Sequence, residues 1–123
     1  MLNICACCGC CCQILKNLKT LPNPGDYVAS NYYAVVDETL CTGCETCLER
    51  CQMDAIAMQG GTASVSAERC IGCGLCVPTC QDGAVTLVSK PEQKRQAPPQ
   101  RLAETYMRIA KERMARLQEL AQK

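Results

Sequence analysis

Two cysteine runs of identical spacing dominate the chemistry available to this chain of 123 residues. Each run has the pattern C-x₂-C-x₂-C-x₃-C. The first run is Cys41, Cys44, Cys47 and Cys51, and the second run is Cys70, Cys73, Cys76 and Cys80. Three thiolates on a tight loop can hold three corners of a cubane while the fourth points away, so the pattern predicts two [4Fe–4S] clusters. Zinc is the alternative, because C-x₂-C pairs also make Cys₄ sites, but a compact triplet would leave one thiol unused.

A third group of thiols, the N-terminal run, lies at the start of the sequence. It comprises Cys5, Cys7, Cys8, Cys10, Cys11 and Cys12. Cys5, Cys8 and Cys11 repeat the C-x₂-C-x₂-C register and, with Cys12, are predicted to ligate a third iron–sulfur cluster. Cys7 and Cys10 are secondary candidates for the same cluster. Two other interpretations stay open: a zinc or soft-metal site made by these thiols, and unligated cysteines that oxidise readily.

The absence of histidine removes several other kinds of redox and catalytic site. Rieske ligation, haem attachment through C-x-x-C-H and histidine acid–base catalysis all need an imidazole. The sequence also lacks a recognisable carboxylate-pair motif, a phosphate-binding loop and a nucleotide fingerprint. It therefore favours an electron-transfer protein over an enzyme.

Charge is distributed unevenly along the chain. Residues 1–88 carry four basic and eight acidic side chains, whereas residues 89–123 carry nine basic and four acidic ones. An acidic redox body is expected to approach basic surfaces of redox partner proteins or oxidoreductase subunits. The basic residues of the tail alternate with acidic ones and no aromatic platform accompanies them, so nucleic-acid binding is not expected.

The elements that must position the thiols emerge when the chain is aligned with itself. The sequence of each of the two aligned halves predicts a strand, a cysteine loop, a short helix and a second strand. The predicted strands are 34–37, 55–58, 63–67 and 84–88, and the predicted helices are 47–51 and 76–80. The expected fold class is therefore α+β, a ferredoxin-like pseudo-twofold β-α-β repeat around two clusters.

Residues 40–51 and 69–80 resemble the two halves of a bacterial-type ferredoxin with two [4Fe–4S] clusters. The resemblance implies electron transfer and a crossed ligand assignment, in which the fourth cysteine of each run binds the other cluster. One cluster then takes Cys41, Cys44, Cys47 and Cys80, and the other takes Cys70, Cys73, Cys76 and Cys51. Gln52 and Gln81 depart from the family pattern, which usually has proline after the fourth cysteine, so the reduction potentials stay open.

The N-terminal run resembles the cysteine-dense segment that precedes a dicluster ferredoxin module in some anaerobic iron–sulfur proteins. The expected division of the chain is residues 1–31 as a cysteine-rich segment with a short helix, 32–88 as the dicluster domain, 89–100 as a linker, and 101–123 as an amphipathic helix. The apolar stripe of that helix is expected to be buried against another surface. Its own ferredoxin body and a partner subunit are the leading alternatives, and a membrane surface is the third.

One-electron transfer, as a small carrier or as the wiring subunit of an oxidoreductase complex, is the function that the sequence favours. Two alternatives stay open: an enzyme component whose N-terminal cluster reduces a substrate directly, and a thiol-redox or metal-storage protein. No stretch approaches 18 apolar residues, so no transmembrane segment is expected. Residues 1–12 lack the charged start and apolar centre of a signal peptide, and a reduced, cytoplasmic location is expected.

Overall fold

The computed structural model describes residues 7–121 of the chain. The elements in chain order are α1 (Gln13–Lys19), β1 (Tyr32–Val36), α2 (Thr46–Arg50), β2 (Ile56–Gln59), β3 (Thr62–Val65), β4 (Val85–Ser89) and α3 (Leu102–Ala121). Single 3₁₀ turns lie at Pro24–Asp26 and Glu92–Lys94. This is a small α+β fold, as expected from the sequence. Both ends of each predicted strand lie within two residues of the ends of an observed strand.

The strands form two separate antiparallel pairs. β1 pairs with β4, with Tyr32 opposite Ser89, and β2 pairs with β3, with Ile56 opposite Val65. A two-stranded pair is marginal in water by itself and needs a packed face to persist. That face is narrow here because the sequence contains no phenylalanine or tryptophan. Besides Pro24 and three cysteines, the buried apolar side chains are non-aromatic, and they are Ala34, Met53, Ala55, Ile56, Ala63, Ala84 and Val85.

Several hydrogen bonds recur at an interval of 29 residues. The amides of Cys41 and Cys70 donate to the carbonyls of Asp37 and Ser66, at 3.1 and 2.9 Å. The amides of Asp37 and Ser66 donate in turn to the carbonyls of Ala84 and Ala55, both at 2.8 Å. The approach to each cysteine run is therefore held by the same two backbone bonds.

Glycine inside each run allows the chain to pass close to other backbone. Gly43 has φ 72°, and a Cβ there would lie 2.5 Å from the carbonyl oxygen of Gly61. Gly72 has φ 67°, and a Cβ there would overlap the carbonyl oxygen of Tyr32. Because both the dihedral and the space exclude a side chain, these two positions require glycine.

The predicted helix at 76–80 is wrong. The first run contains α2, but the equivalent segment of the second run consists of turns, with hydrogen bonds from Val77 to Gly74 and from Cys80 to Val77. Pro78 explains the difference, because it has no amide hydrogen to donate to the carbonyl four residues earlier. The cysteine spacing is the same in both halves even though only one half forms a regular helix.

One arginine donates several hydrogen bonds that connect the N-terminal segment with the core. The guanidinium of Arg69 donates to the carbonyl of Met53 at 2.9 and 3.0 Å. It also donates to the last carbonyls around the end of α1, those of Lys19 at 3.1 Å and Pro22 at 3.2 Å. A salt bridge of 2.8 Å between Lys19 and Asp54 adds a second link. These bonds fix α1 against the loop that follows the first cysteine run.

The C-terminal helix has no such attachment among the described residues. The described apolar side chains of α3 are exposed, with Met107 at 73% and Leu117 at 60%. Ile109 lies near the chain around Tyr27 in a shallow depression, and this leaves most of the apolar stripe uncovered. Within residues 7–121, no helix combines the length and apolar character needed to cross a bilayer.

Candidate metal centre

The first core site forms around Cys47, whose side chain is buried. The thiol of Cys47 interacts electrostatically with those of Cys44, Cys41 and Cys80. Burial is the main cause that raises the pKa of Cys47, and the negative charge of the three neighbouring thiolates raises it further. Three cysteines of the first run therefore lie with the last cysteine of the second run; we call these four residues the first site.

The second core site has the same arrangement around Cys76. Its thiol interacts with those of Cys73, Cys70 and Cys51. Burial raises the pKa of Cys76 to about 11, and the charge of the three neighbours adds to the rise. We call Cys51, Cys70, Cys73 and Cys76 the second site. The structure thus brings each fourth cysteine close to the triplet of the other run.

Cys47 and Cys76 are buried, and each interacts with three other thiols, so their thiolates would lose hydration and be repelled unless positive charge lay among them. Iron supplies that charge, and metal coordination deprotonates a thiol outright. Each site offers four thiol ligands, which is the complement of a [4Fe–4S] cluster. The donor set and its burial therefore fit the group that the spacing predicts.

Backbone amides point at several of these sulfur atoms. The amide of Ala63 donates to Cys41 Sγ at 3.4 Å, and that of Ala34 donates to Cys70 Sγ at 3.5 Å. The amide of Ala55 donates to Cys51 Sγ at 3.2 Å. Hydrogen bonds of this kind favour the charged thiolate and tune the potential of a bound cluster. These donors could not be predicted from the sequence, because side-chain types do not reveal the strand register that sets the direction of an amide.

Polar side chains surround the exposed edge of the first site. Thr46 Oγ1 lies 3.6 Å from Cys44 Sγ, and hydrogen bonds from Thr46 are the main cause that lowers the pKa of Cys44. Thr42 is a smaller cause that lowers the pKa of Cys44, and its hydroxyl donates to Asp82 at 2.7 Å. The Asp82 carboxylate opposes the shift through its negative charge. This edge of the site therefore has hydrogen-bond donors and one acidic group.

Apolar side chains surround the second site. Its cysteines line a pocket together with Ala34, Met53, Ile56, Val65, Ile71 and Leu75. Met53 is only 1% exposed and is among the most buried side chains of the described residues. The second site is therefore the drier of the two.

The N-terminal thiols gather in a separate place. Cys8, Cys10 and Cys11 have sulfur atoms that all lie within 4.8 Å of one another, and those of Cys8 and Cys11 are 3.4 Å apart. The sulfurs of Cys8 and Cys10 are in disulfide contact. Cys12 donates its amide to the carbonyl of Cys8 at 3.2 Å, which closes the turn that brings these thiols together. Cys5, the first predicted ligand of a third cluster, lies outside the described residues.

Comparison with known proteins agrees with the core geometry. Residues 33–81 match the family described as a 4Fe-4S dicluster domain. The match spans both cysteine runs and covers less than half of the chain. No curated protein matches the sequence. Together with the assembly of the cysteines of both runs, the match supports an iron–sulfur, ferredoxin-like domain at residues 33–81.

Proposed function

We propose that the chain transfers single electrons through two [4Fe–4S] clusters held at the first and second sites. The observation that carries the proposal is the convergence of Cys80 on the first run and of Cys51 on the second. When bound, the clusters supply reversible one-electron chemistry. The residues of the chain hold them, exclude water and direct amide hydrogens at the ligating sulfurs.

The crossed ligand sets also define how the two halves are built. Hydrogen bonds to Asp37 and Ser66, and sulfur bonds from Ala34 and Ala63, recur at the same interval of 29 residues. They support a pseudo-twofold repeat in which each half contributes three thiols to one site and one thiol to the other. Each cluster then links both halves and stabilises the small apolar core between them.

Substitution of the crossing cysteines tests the proposal. In anaerobically purified protein we expect Cys51→Ala to abolish the EPR signal of the cluster at Cys70, Cys73 and Cys76, although Cys51 belongs to the first run. The matched variant, Cys80→Ala, should abolish the other signal. Unaltered protein should contain about eight irons, at four per cubane. If each variant damaged only the cluster of its own run, the crossed assignment would be wrong.

The proposal includes docking of α3 on a redox partner rather than on the ferredoxin body. Its apolar side chains are exposed, whereas α1 is fixed to the core by Arg69. A carrier or an electron-wiring subunit in a reduced, cytoplasmic and anaerobic setting is the role we infer, with a basic partner surface facing the acidic body. Deletion of residues 101–123 should leave both core EPR signals intact and weaken complex assembly. Loss of the core clusters on deletion would instead make the helix part of the ferredoxin fold.

The third iron–sulfur cluster expected from Cys5, Cys8, Cys11 and Cys12 stays a prediction. It would raise the iron content of the protein from about eight to about twelve. Direct reduction of a substrate at that cluster, the enzyme alternative, depends on its presence. An iron and sulfide count on residues 1–123 and on a chain that starts at Gln13 therefore tests both together.

A further inference from the structure

The N-terminal thiols differ from the core thiols in how closely they converge. Within residues 7–121, Cys8, Cys10 and Cys11 are the one group of three or more possible metal ligands whose donor atoms all lie within 4.8 Å of one another. No three thiols of the first or second site come so close. Residues 7–121 therefore contain two kinds of thiol arrangement, one wider and partly buried, the other tight and exposed.

The tight arrangement has the dimensions of a single-ion site. Zinc binds thiolates at about 2.3 Å in a tetrahedron, which places neighbouring sulfurs about 3.8 Å apart. The sulfurs of Cys8 and Cys11, 3.4 Å apart, are near that value, and all three sulfurs lie within 4.8 Å of one another. Cys8 and Cys10 are joined by a disulfide, and this pair must be reduced before it can take the same spacing. Sulfurs that ligate different irons of a cubane must stand further apart, because the cluster core lies between them. The trio is therefore matched to one ion rather than to a third cubane.

The surroundings fix the trio at a defined place on the molecule. Cys8 and Cys10 line a pocket together with Cys51 of the second site and with Gln52. Gln52 packs against Gly9, where a Cβ would lie 3.5 Å from the glutamine side chain. The same glutamine lines the apolar pocket of the second site, and its buried Oε1 has no hydrogen-bond partner. Cys8 and Cys10 of the trio therefore share a surface depression with Cys51 of the second site.

We propose that Cys8, Cys10 and Cys11 bind one soft divalent ion such as Zn²⁺, which fastens the N-terminal run over the second site. Tetrahedral thiolate sets select zinc or iron over harder cations. Cys7 lines the same pocket but is itself disulfide-bonded, so the proposed ligand set is the three thiols of the trio. The helix α1 has no fully buried residue and contributes the partly buried Leu15 and Leu18 to the core, so a metal adds a staple to a small hydrophobic contact. This inference goes beyond the proposed function, because electron transfer through the core sites does not require it.

Binding requires the reduced thiols. The Cys8–Cys10 disulfide contact shows that the two sulfurs meet without rearrangement of the turn, but a disulfide cannot act as two thiolate ligands. A phosphine reductant converts the disulfide into two thiols, and the phosphine becomes its oxide by taking oxygen from water. Metal binding then releases the thiol protons.

The experiment uses the full-length, cluster-containing protein, reduced anaerobically with a phosphine and titrated with Zn²⁺ against a chromophoric chelator. Unaltered protein should bind about one equivalent tightly. The double variant Cys8→Ser/Cys11→Ser should bind it more than about 100-fold more weakly, because even outer-shell substitutions cost 10–100-fold in metal affinity. Lys16→Ser, at an exposed position of α1, is the matched control and should bind as the unaltered protein does.

Iron, sulfide and the core EPR signals are measured on the same samples. Absence of a tight zinc equivalent in the reduced, unaltered protein would overturn the proposal. Four irons and four sulfides that disappear only in the Cys8→Ser/Cys11→Ser variant would also overturn it, in favour of a third cubane. Failure of the proposed electron-transfer function is recognised separately, by the absence of core EPR signals in all three proteins whatever the zinc result.

Discussion

The two core sites share one cysteine spacing but have opposite surroundings. Three polar residues beside the first site have apolar counterparts 29 residues away in the repeat. Thr42 corresponds to Ile71, Thr46 to Leu75, and Asp82 to Met53. The spacing of the thiols specifies which metal group can bind, whereas the residues around the thiols set how readily it accepts an electron. The repeat thus keeps the thiol spacing equal in the two sites and changes the surroundings that set how readily each site accepts an electron.

The difference predicts an order of reduction. A cluster with four thiolates gains negative charge when it is reduced, and an apolar surrounding disfavours that gain. Hydrogen bonds from Thr46 at Cys44 stabilise the additional charge at the first site. Asp82 acts in the opposite sense, but its carboxylate is exposed and accepts a hydrogen bond from Thr42, so water and the hydroxyl screen it. We expect the first site to accept an electron before the second.

Exchange of the second residue after each crossing cysteine should give the largest effect. Met53→Asp places a carboxylate where the side chain is 1% exposed, beside the thiols of the second site. An uncompensated buried charge costs on the order of 3–5 kcal/mol, so we expect loss of the second cluster and a lower midpoint of unfolding. EPR and thermal denaturation measure the two effects.

The reverse exchange, Asp82→Met, is the matched control. Asp82 is exposed, so its replacement removes one hydrogen bond with Thr42 and buries nothing. Its effect on unfolding should stay within about 0.5 kcal/mol, the usual range for surface substitutions. Equal losses of stability in Met53→Asp and Asp82→Met would refute the distinction between an apolar second site and a solvated first site.

Arg69→Leu tests a second asymmetry between the halves, because the equivalent residue of the first half is Leu40. The substitution removes the hydrogen bonds that join Met53 to the end of α1. Hydrogen bonds from a charged group contribute about 1.5–3 kcal/mol, so α1 should open locally by that amount. Amide hydrogen exchange in Gln13–Lys19 measures the opening.

Leu40→Ala serves as the control for this variant, since Leu40 is 51% exposed and no bond to the N-terminal segment involves it. Exchange in α1 should be unaltered there. If Arg69→Leu left amide hydrogen exchange in α1 unchanged, the guanidinium would not be the group that holds α1 against the core. The zinc site proposed at Cys8, Cys10 and Cys11 should weaken with Arg69→Leu, because α1 positions it beside Cys51.

Reciprocal exchange of the threonine and leucine beside the two sites should shift reduction potentials. Thr46→Leu removes a donor to Cys44, and Leu75→Thr introduces one at the equivalent position of the second site. One hydrogen bond contributes about 0.5–1.5 kcal/mol, or about 20–60 mV for one electron. The first variant should lower the potential of the first site and the second should raise that of the second site. Potentiometric EPR titration that found both shifts in one direction would contradict this account.

The parts of the fold that depend on local pattern could be predicted from the sequence. Alternation and the 29-residue repeat located the strands, and apolar spacing located α1 and α3. Pro78 was visible in the sequence, but the repeat outweighed it, and the predicted second-half helix was therefore wrong. The gathering of the first three cysteines of each run needs no more than a tight loop, so their spacing predicts a metal group without knowledge of the fold.

Features that depend on distant contacts could not be predicted in this way. Arg69 is adjacent to the second run in sequence, yet its partners Lys19 and Pro22 lie almost fifty residues earlier. No local pattern indicates that a side chain will donate to the carbonyls at the end of another element. The tight sulfur geometry of Cys8, Cys10 and Cys11 similarly depends on the turn that Cys12 closes, whereas the sequence register suggested a cluster with Cys5.

The smallest expected effect concerns the turns that lead into the two runs. Asp37 Oδ1 accepts hydrogen bonds from the amide and hydroxyl of Thr39, at 2.9 and 2.6 Å, whereas Ser66 Oγ accepts one from the amide of Arg69 at 3.4 Å. The bonds from Thr39 lower the pKa of Asp37 below its ordinary value. A lowered pKa means that the carboxylate stabilises the folded turn above the pKa of the unfolded chain. This contribution is lost as the pH falls through the folded value.

The turn before the first run should therefore loosen in acid, and the turn before the second run should not. In the oxidised protein the amide resonance of Thr39 should shift with a midpoint below the ordinary pKa of aspartate, about 3.9. The Arg69 amide, whose partner Ser66 does not titrate, is the internal control and should not follow that midpoint. Asp37→Asn should abolish the transition at Thr39 while it keeps an acceptor oxygen in place. A midpoint for Thr39 at or above the ordinary value would show that its hydrogen bonds do not favour the ionised carboxylate, and the acid sensitivity would then not distinguish the two halves.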